Sequence, residues 1–117
     1  MKVAPLKTGN KVIVPNCFKA KSFVSRFMGL MGRKQIDPNE AVLFPKCNSI
    51  HTFFMRFPID VIMISDEGVI IEIKETTPWR MLLPRKGVKH VIEMKAQRAK
   101  EIGIQVGDTL SYDGGWR

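Results

Sequence analysis

No run of apolar residues in this chain reaches the length that would cross a bilayer as a helix, roughly 20 residues. The start, Met1-Lys-Val-Ala-Pro-Leu-Lys7, holds no apolar signal core. The expectation is a cytoplasmic protein with no membrane span. Cysteine is scarce: Cys17 and Cys47 are the two present, and in a cytoplasm their default is two reduced thiols. Joined to each other they would close a loop worth roughly 3–4 kcal/mol in the chain-entropy model. Repeats, linkers, helix-turn-helix, zinc-finger and RNA-binding signatures are all missing, and so is any nucleophile motif. Neither a metal nor a cofactor is expected. Cys17, Cys47, His51 and His90 are zinc-ligand residue types. On one extended strand, however, Cys47 and His51 would stand about 13 Å apart, which defeats a cysteine-histidine dyad and, unless the chain bends at Asn48-Ser49, a shared metal.

Acid is missing from the first third. Residues 1–36 carry Lys2, Lys7, Lys11, Lys19, Lys21, Arg26, Arg33 and Lys34 and no carboxylate, whereas residues 37–117 balance 11 basic against 11 acidic residues. The whole net charge of +8 therefore lies in that third. A one-sided charge attracts nucleic acid, anionic lipid or an acidic protein. Its plainer meaning is a solvated face, since no aromatic platform interleaves the lysines.

What is present is a core. The chain has 117 residues, 44% of them apolar, enough for one domain and too few for two. The domain is expected to span residues 1–117, with its core at about 10–112 and loose termini. Lys11–Val14 reads as a strand closed by Pro15. Ser22 caps a helix whose apolar face is Phe23, Val24, Phe27, Met28 and Met31, ended by Gly32. Ala41–Phe44 is a strand. Ser65–Gly68 is a hairpin loop leading into Val69–Glu75. Residues 77–87 form a long loop with two prolines, Trp79 and three basic residues. Val88–Met94 is a strand, Ala96, Ala99 and Ile102 line a short helix capped by Gly103, and a last strand ends at Tyr112. The expected fold is mainly β, a small antiparallel sandwich or barrel of about six strands with one or two short helices.

The densest apolar content runs from Cys47 to Ile64. Its β-branched and aromatic residues disfavour a helix, and Pro58 divides it or marks a bulge. The second half, Ile59–Ile64, is apolar on both faces, as a central strand covered on both sides would be. Asp60 then sits on the apolar side of that strand and needs donors. Arg56 is the nearest candidate. Alternatively, Asp60 accepts backbone amides at the Pro58 bulge.

Ser49-Ile-His-Thr-Phe-Phe-Met-Arg-Phe-Pro-Ile-Asp-Val-Ile62, with Phe27-Met-Gly-Leu-Met-Gly-Arg33, Val91-Ile-Glu-Met94 and Gly107-Asp108, resembles the family catalogued as domain of unknown function 192. The resemblance covers roughly residues 10–112. It implies a compact β-rich fold, chiefly in prokaryotes, with no established activity. The positions matching the family's polar signature are His51, Arg56, Asp60, Glu93 and Asp108, and none of them has an agreed role. This chain departs from the pattern at Gln97, where the family usually has glycine.

Three readings of function follow. The first is a small β domain that binds an anionic ligand between the central motif and the 76–87 loop, with His51, Arg56, Asp60 and Glu93 as ligand-binding residues and Trp79 as an aromatic wall. The second is a binding module for an acidic partner through Lys11, Lys19, Lys21, Arg26, Arg33 and Lys34. The third is an enzyme using His51 as a base oriented by Asp60 or Glu93.

Overall fold

The computed structural model describes residues 2–20, 35–51 and 56–117, with only the backbone of Ile50 and His51. The helix read at 22–31, the motif Phe27–Arg33 and Thr52–Met55 of the central run lie outside the described residues. Nine strands and one helix are described: β1 (Lys2–Thr8), β2 (Lys11–Lys19), β3 (Glu40–Phe44), β4 (Ile50–His51), β5 (Ile59–Ile64), β6 (Ile70–Thr76), β7 (Met81–Leu82), β8 (His90–Lys95), α1 (Arg98–Ile102) and β9 (Ser111–Tyr112). Seven strands form one sheet in the order β6-β5-β8-β3-β2-β1-β9, and β4 pairs with β7 in a separate ribbon. The protein is mainly β, as its composition of strand formers leads one to expect.

The sheet curls until its two ends meet. Val69, at the head of β6, bridges Thr109, just before β9. Ile70 N–H donates to the Asp108 carbonyl and Leu110 N–H to that of Gly68, both within 2.9 Å. The result is a half-closed barrel, in which one pair of strands, β2 and β3, runs parallel and the others antiparallel. Closure of this kind shields part of the unpaired edge that an open sheet would expose. Gly68 makes the closure point. Its φ is +89°, and a Cβ there would run into the Leu110 carbonyl and the Trp116 ring.

Core residues alternate between the two faces of the sheet. Ala41, Leu43, Ile62, Ile64, Ile92 and Met94 join Leu6, Val14, Cys17, Leu110, Tyr112 and Trp116 in one cluster. Val42, Phe44, Ile59, Val61, Met63 and Val91 join Cys47, Leu82 and Val88 in the other. Strand β5 is buried at all six positions. It is a central strand covered on both sides, and each of its fully buried isoleucines contributes about 1.5–3 kcal/mol. Cys17 and Cys47 are not in a disulfide, and both are buried, on opposite faces of the sheet. Burial pushes the Cys17 thiol up to about 12.

Three differences from the sequence reading have physical causes. First, Pro15 does not end β2, which runs on to Lys19. The β1–β2 register shifts between Ala4 and Leu6, opposite Cys17 and Val14, so Pro5 and Pro15 both fall where the ladder is already interrupted. Second, the N-terminal residues expected to be loose form β1, whose Ala4 and Leu6 point into the core. Third, the tail is not loose at its end. Trp116 is buried, stacked at 6.1 Å from His90 and 6.2 Å from Tyr112.

Candidate functional site: a basic cleft over a buried histidine

Of the sequence-predicted residues, Asp60 and Glu93 stand on opposite faces of the sheet. Asp60 is buried on β5, and its two oxygens accept the backbone N–H groups of Gln97 at 3.1 Å and Ala99 at 2.9 Å. It thus satisfies the first amides of α1 from across the sheet, the work of an N-terminal cap carried out by a distant carboxylate. The amides it takes are those of α1 and not of the Pro58 bend. Arg56 lies in an exposed bend. Glu93 is buried on β8 opposite Val61, whereas Asp60 stands opposite Met94. Val61 and Met94 belong to opposite faces of the sheet, so Asp60 and Glu93 also point to opposite faces. One histidine cannot be oriented by both. His51 pairs through its backbone with Met81 in the β4–β7 ribbon. Trp79 is 59% exposed in the 77–87 loop. Asp108 accepts the Gln105 amide at 3.0 Å, which ties the turn leading to the closure segment.

Sequence reasoning missed a different cluster. His90, at the start of β8, is 1% exposed. Its Nδ1 accepts the backbone N–H of Lys46 at 3.0 Å. Its Nε2 therefore carries the proton and donates to Oδ1 of Asp66 at 2.9 Å. Asp66, in the β5–β6 hairpin turn, also receives the guanidinium of Arg117 through Nε at 3.2 Å and through Nη2. These two donors hold the Asp66 carboxyl below its ordinary value of 3.8. Trp116 lies against the His90 ring. Lys19 anchors the same tail from beneath, donating its ammonium to the carbonyls of Gly115 and Arg117 while lying 5.9 Å over the Tyr112 ring.

Above this cluster opens a cleft of about 370 Å³, lined by Lys46, Cys47, Asn48, Asp66, Val88, Lys89, His90 and Arg117. Its size falls within the range of small-molecule sites. Two strand ends build it. The chain leaving β3 turns at Pro45-Lys46, and the chain entering β8 passes alongside, with Cys47 N–H donating to the Lys89 carbonyl at 2.9 Å. Lys46 holds a left-handed backbone with φ of +54°, a conformation unusual for a residue with a Cβ. Lys46, Lys89 and Arg117 are exposed at the rim, as is Asn48. Among the described residues that line the cleft, Asp66 is the one side-chain carboxylate, and it is matched by Arg117. The balance in the cleft is positive.

The same geometry limits the chemistry. Both ring nitrogens of His90 are engaged within the protein, so neither is presented to a bound molecule as a base. Cys47 directs its Sγ to the Ser49 carbonyl at 2.8 Å. Among the described residues, no group of three or more His, Cys, Asp or Glu side chains is placed to hold a metal ion. No helix among them is long and apolar enough to cross a membrane. The signals that would have revealed the cluster were a histidine inside an apolar strand and a tryptophan in an otherwise polar tail.

Similar proteins bear on the fold and the family. A crystal structure from Sinorhizobium meliloti, of a protein provisionally described as a transcription regulator, superposes with a TM-score of 0.77 at 23% identity over 97% of this chain and 99% of that one. A protein of unknown function from Novosphingobium aromaticivorans gives 0.75 at 21% identity, over 93% of this chain and 84% of its own. Both share the fold. A UPF0127 protein of Thermococcus sibiricus is 31% identical over 111 residues, 92% of this chain and 72% of that protein. One from Pyrococcus furiosus is 31% identical over 100 residues, 80% and 84% of the two chains. The DUF192 model, described as an uncharacterized ACR, matches residues 5–112, and the chain belongs to that family.

Proposed function

We propose that this protein is a binding domain for a small anionic ligand, a phosphate or carboxylate compound, held in the cleft between the β3–β4 connection and the start of β8. The observation that carries the reading is the charge of a cleft with the right volume. Lys46 and Lys89 flank it, Asn48 adds an amide donor, and Asp66, the acidic side chain among its described lining residues, is matched by Arg117. Ammonium groups at the rim of a partly enclosed space attract an anion more strongly than the same groups on open surface. The left-handed backbone at Lys46 is a second support. Such conformations persist where surrounding structure enforces them, often at binding sites. Here the conformation presents the Lys46 amide to His90 while its side chain stays at the rim. The cleft begins at Cys47 and Asn48, the first residues of the long apolar run, so the ligand meets the start of that run and not its Arg56–Asp60 part.

The partner reading through the basic first third finds less support. Lys19 is buried and donates to the tail carbonyls, so it is not presented to a partner. Lys11 is exposed, while Lys21, Arg26, Arg33 and Lys34 lie outside the described residues.

The test is calorimetric titration with inorganic phosphate and with succinate, at low and high salt, on the wild type and on Lys46→Gly with Lys89→Ala. Glycine suits the left-handed position at 46, so the double variant is expected to keep or slightly raise its melting temperature. The wild type is expected to bind one of the two anions, and the variant to lose at least ten-fold in affinity. Undiminished binding by a folded variant would remove the cleft from the account.

A further inference from the structure

We propose that the β7 loop is a docking surface for an anionic lipid membrane, gripping it with three apolar side chains set among basic ones. This stands independently of the cleft. Trp79, Met81 and Leu83 are exposed to 59%, 59% and 72%, while Leu82 between them is 8% exposed and belongs to the core. Leu82 roots the strand while Met81 and Leu83 on either side of it face outward, and Trp79 precedes them in a bend with a left-handed φ of +63°. The β4–β7 pairing holds this short ribbon apart from the main sheet. Arg80, Arg85 and Lys86 are exposed beside it. From residue 76 to residue 92 the chain carries four basic residues and no acidic one.

Charge and shape together select the occupant. A stable protein interface takes roughly 800 Å² from each partner, more than three side chains on a narrow ribbon supply. A lipid interface asks for less: an aromatic residue at headgroup depth, a few aliphatic side chains below it, and cations matched to anionic headgroups. Tryptophan, methionine and leucine between arginines and a lysine meet that description. Salt bridging of Arg85 to Glu72 at 2.8 Å braces the base of the loop against β6.

The chain's two tryptophans make the test direct, because Trp116 is buried and Trp79 is exposed. Full-length protein is mixed with vesicles of phosphatidylglycerol and phosphatidylcholine, or of phosphatidylcholine alone. Tryptophan emission and co-sedimentation are followed at two salt concentrations. The expected result is a blue shift and sedimentation with the anionic vesicles only, weakened by salt. Both Trp79→Ser with Leu83→Ser and Arg80→Glu with Lys86→Glu should reduce binding at least ten-fold; all four positions are exposed, so the fold is retained. Absence of binding to anionic vesicles would overturn the proposal. So would binding that survives the Trp79→Ser, Leu83→Ser pair, which would move the contact to the basic first third.

Discussion

At the residue scale, the most informative side chain is Asp66. It joins a turn, a strand histidine and the tail through His90 and Arg117. Its carboxyl is held below its ordinary value chiefly by the hydrogen bond from Arg117 and then by that from His90. A carboxyl with a depressed folded-state value binds fewer protons in the native state than in the unfolded state. Its contribution to stability is therefore complete above the ordinary carboxylate range, and it is lost as pH falls through that range to the depressed value. Melting temperature followed from pH 7 downward should show a steeper acid fall for the wild type than for Asp66→Asn, the two curves converging at the acid end. Parallel curves would show that the pairing has no energetic weight. The sequence identified Asp66 as a turn residue and Arg117 as part of a tail. Neither role hinted at the pair, because 51 positions separate them and only the curl of the sheet brings them together.

At the scale of the elements, a buried carboxylate on one strand holds the helix that follows another. Helix α1 has five residues, too few to hold itself together in water. It is set by Asp60, whose oxygens take the Gln97 and Ala99 amides, and by Gly103, whose φ of +79° lets its amide close the C-terminal end. Gln97 stands at φ of +72°, a left-handed position. Glycine, which the family resemblance leads one to expect at this point, suits that backbone without the Cβ crowding that a glutamine suffers. So the departure at 97 leaves the amide contact in place and adds strain. Gln97→Gly should stabilise the protein by about 1 kcal/mol, read from chemical denaturation. Destabilisation would mean that the side-chain bond from Gln97 to Glu75 outweighs the strain.

Other elements divide according to how local their causes are. Strand β5 was legible to the residue because six apolar-compatible positions in a row suit a strand covered on both sides. Strand β1 was not. Lys2, Pro5 and Lys7 hide its alternation, and it exists because β2 and β9 pair with it on either side. The β2–β3 parallel pair was equally hidden, since the hairpin-like spacing of the other strands pointed to an antiparallel fold throughout.

At the scale of the whole molecule, the curled sheet decides what can act as a site. Read from sequence, the anionic-ligand site falls on His51, Arg56, Asp60, Glu93 and Trp79, because polar residues in apolar stretches and a tryptophan in a long loop are conspicuous. The sheet turns Asp60 and Glu93 to opposite faces. Asp60 is spent on α1, Glu93 faces the other side of the sheet, and Arg56 lies in an exposed bend. The curl also gathers Lys46, Asn48, Lys89 and Arg117, which are ordinary in sequence, around one cleft. A conspicuous buried carboxylate marked a structural need, and the candidate binding groups were surface residues with nothing local to distinguish them.

The most direct measurement is an amide spectrum of the isotopically labelled protein titrated with inorganic phosphate and then with succinate. Saturable shifts centred on residues 46–48 and 88–90 are predicted, with the amides of Arg56 to Asp60 unmoved. Shifts centred instead on Arg56 to Asp60, or no saturable shift with either anion, would contradict the cleft as the binding site.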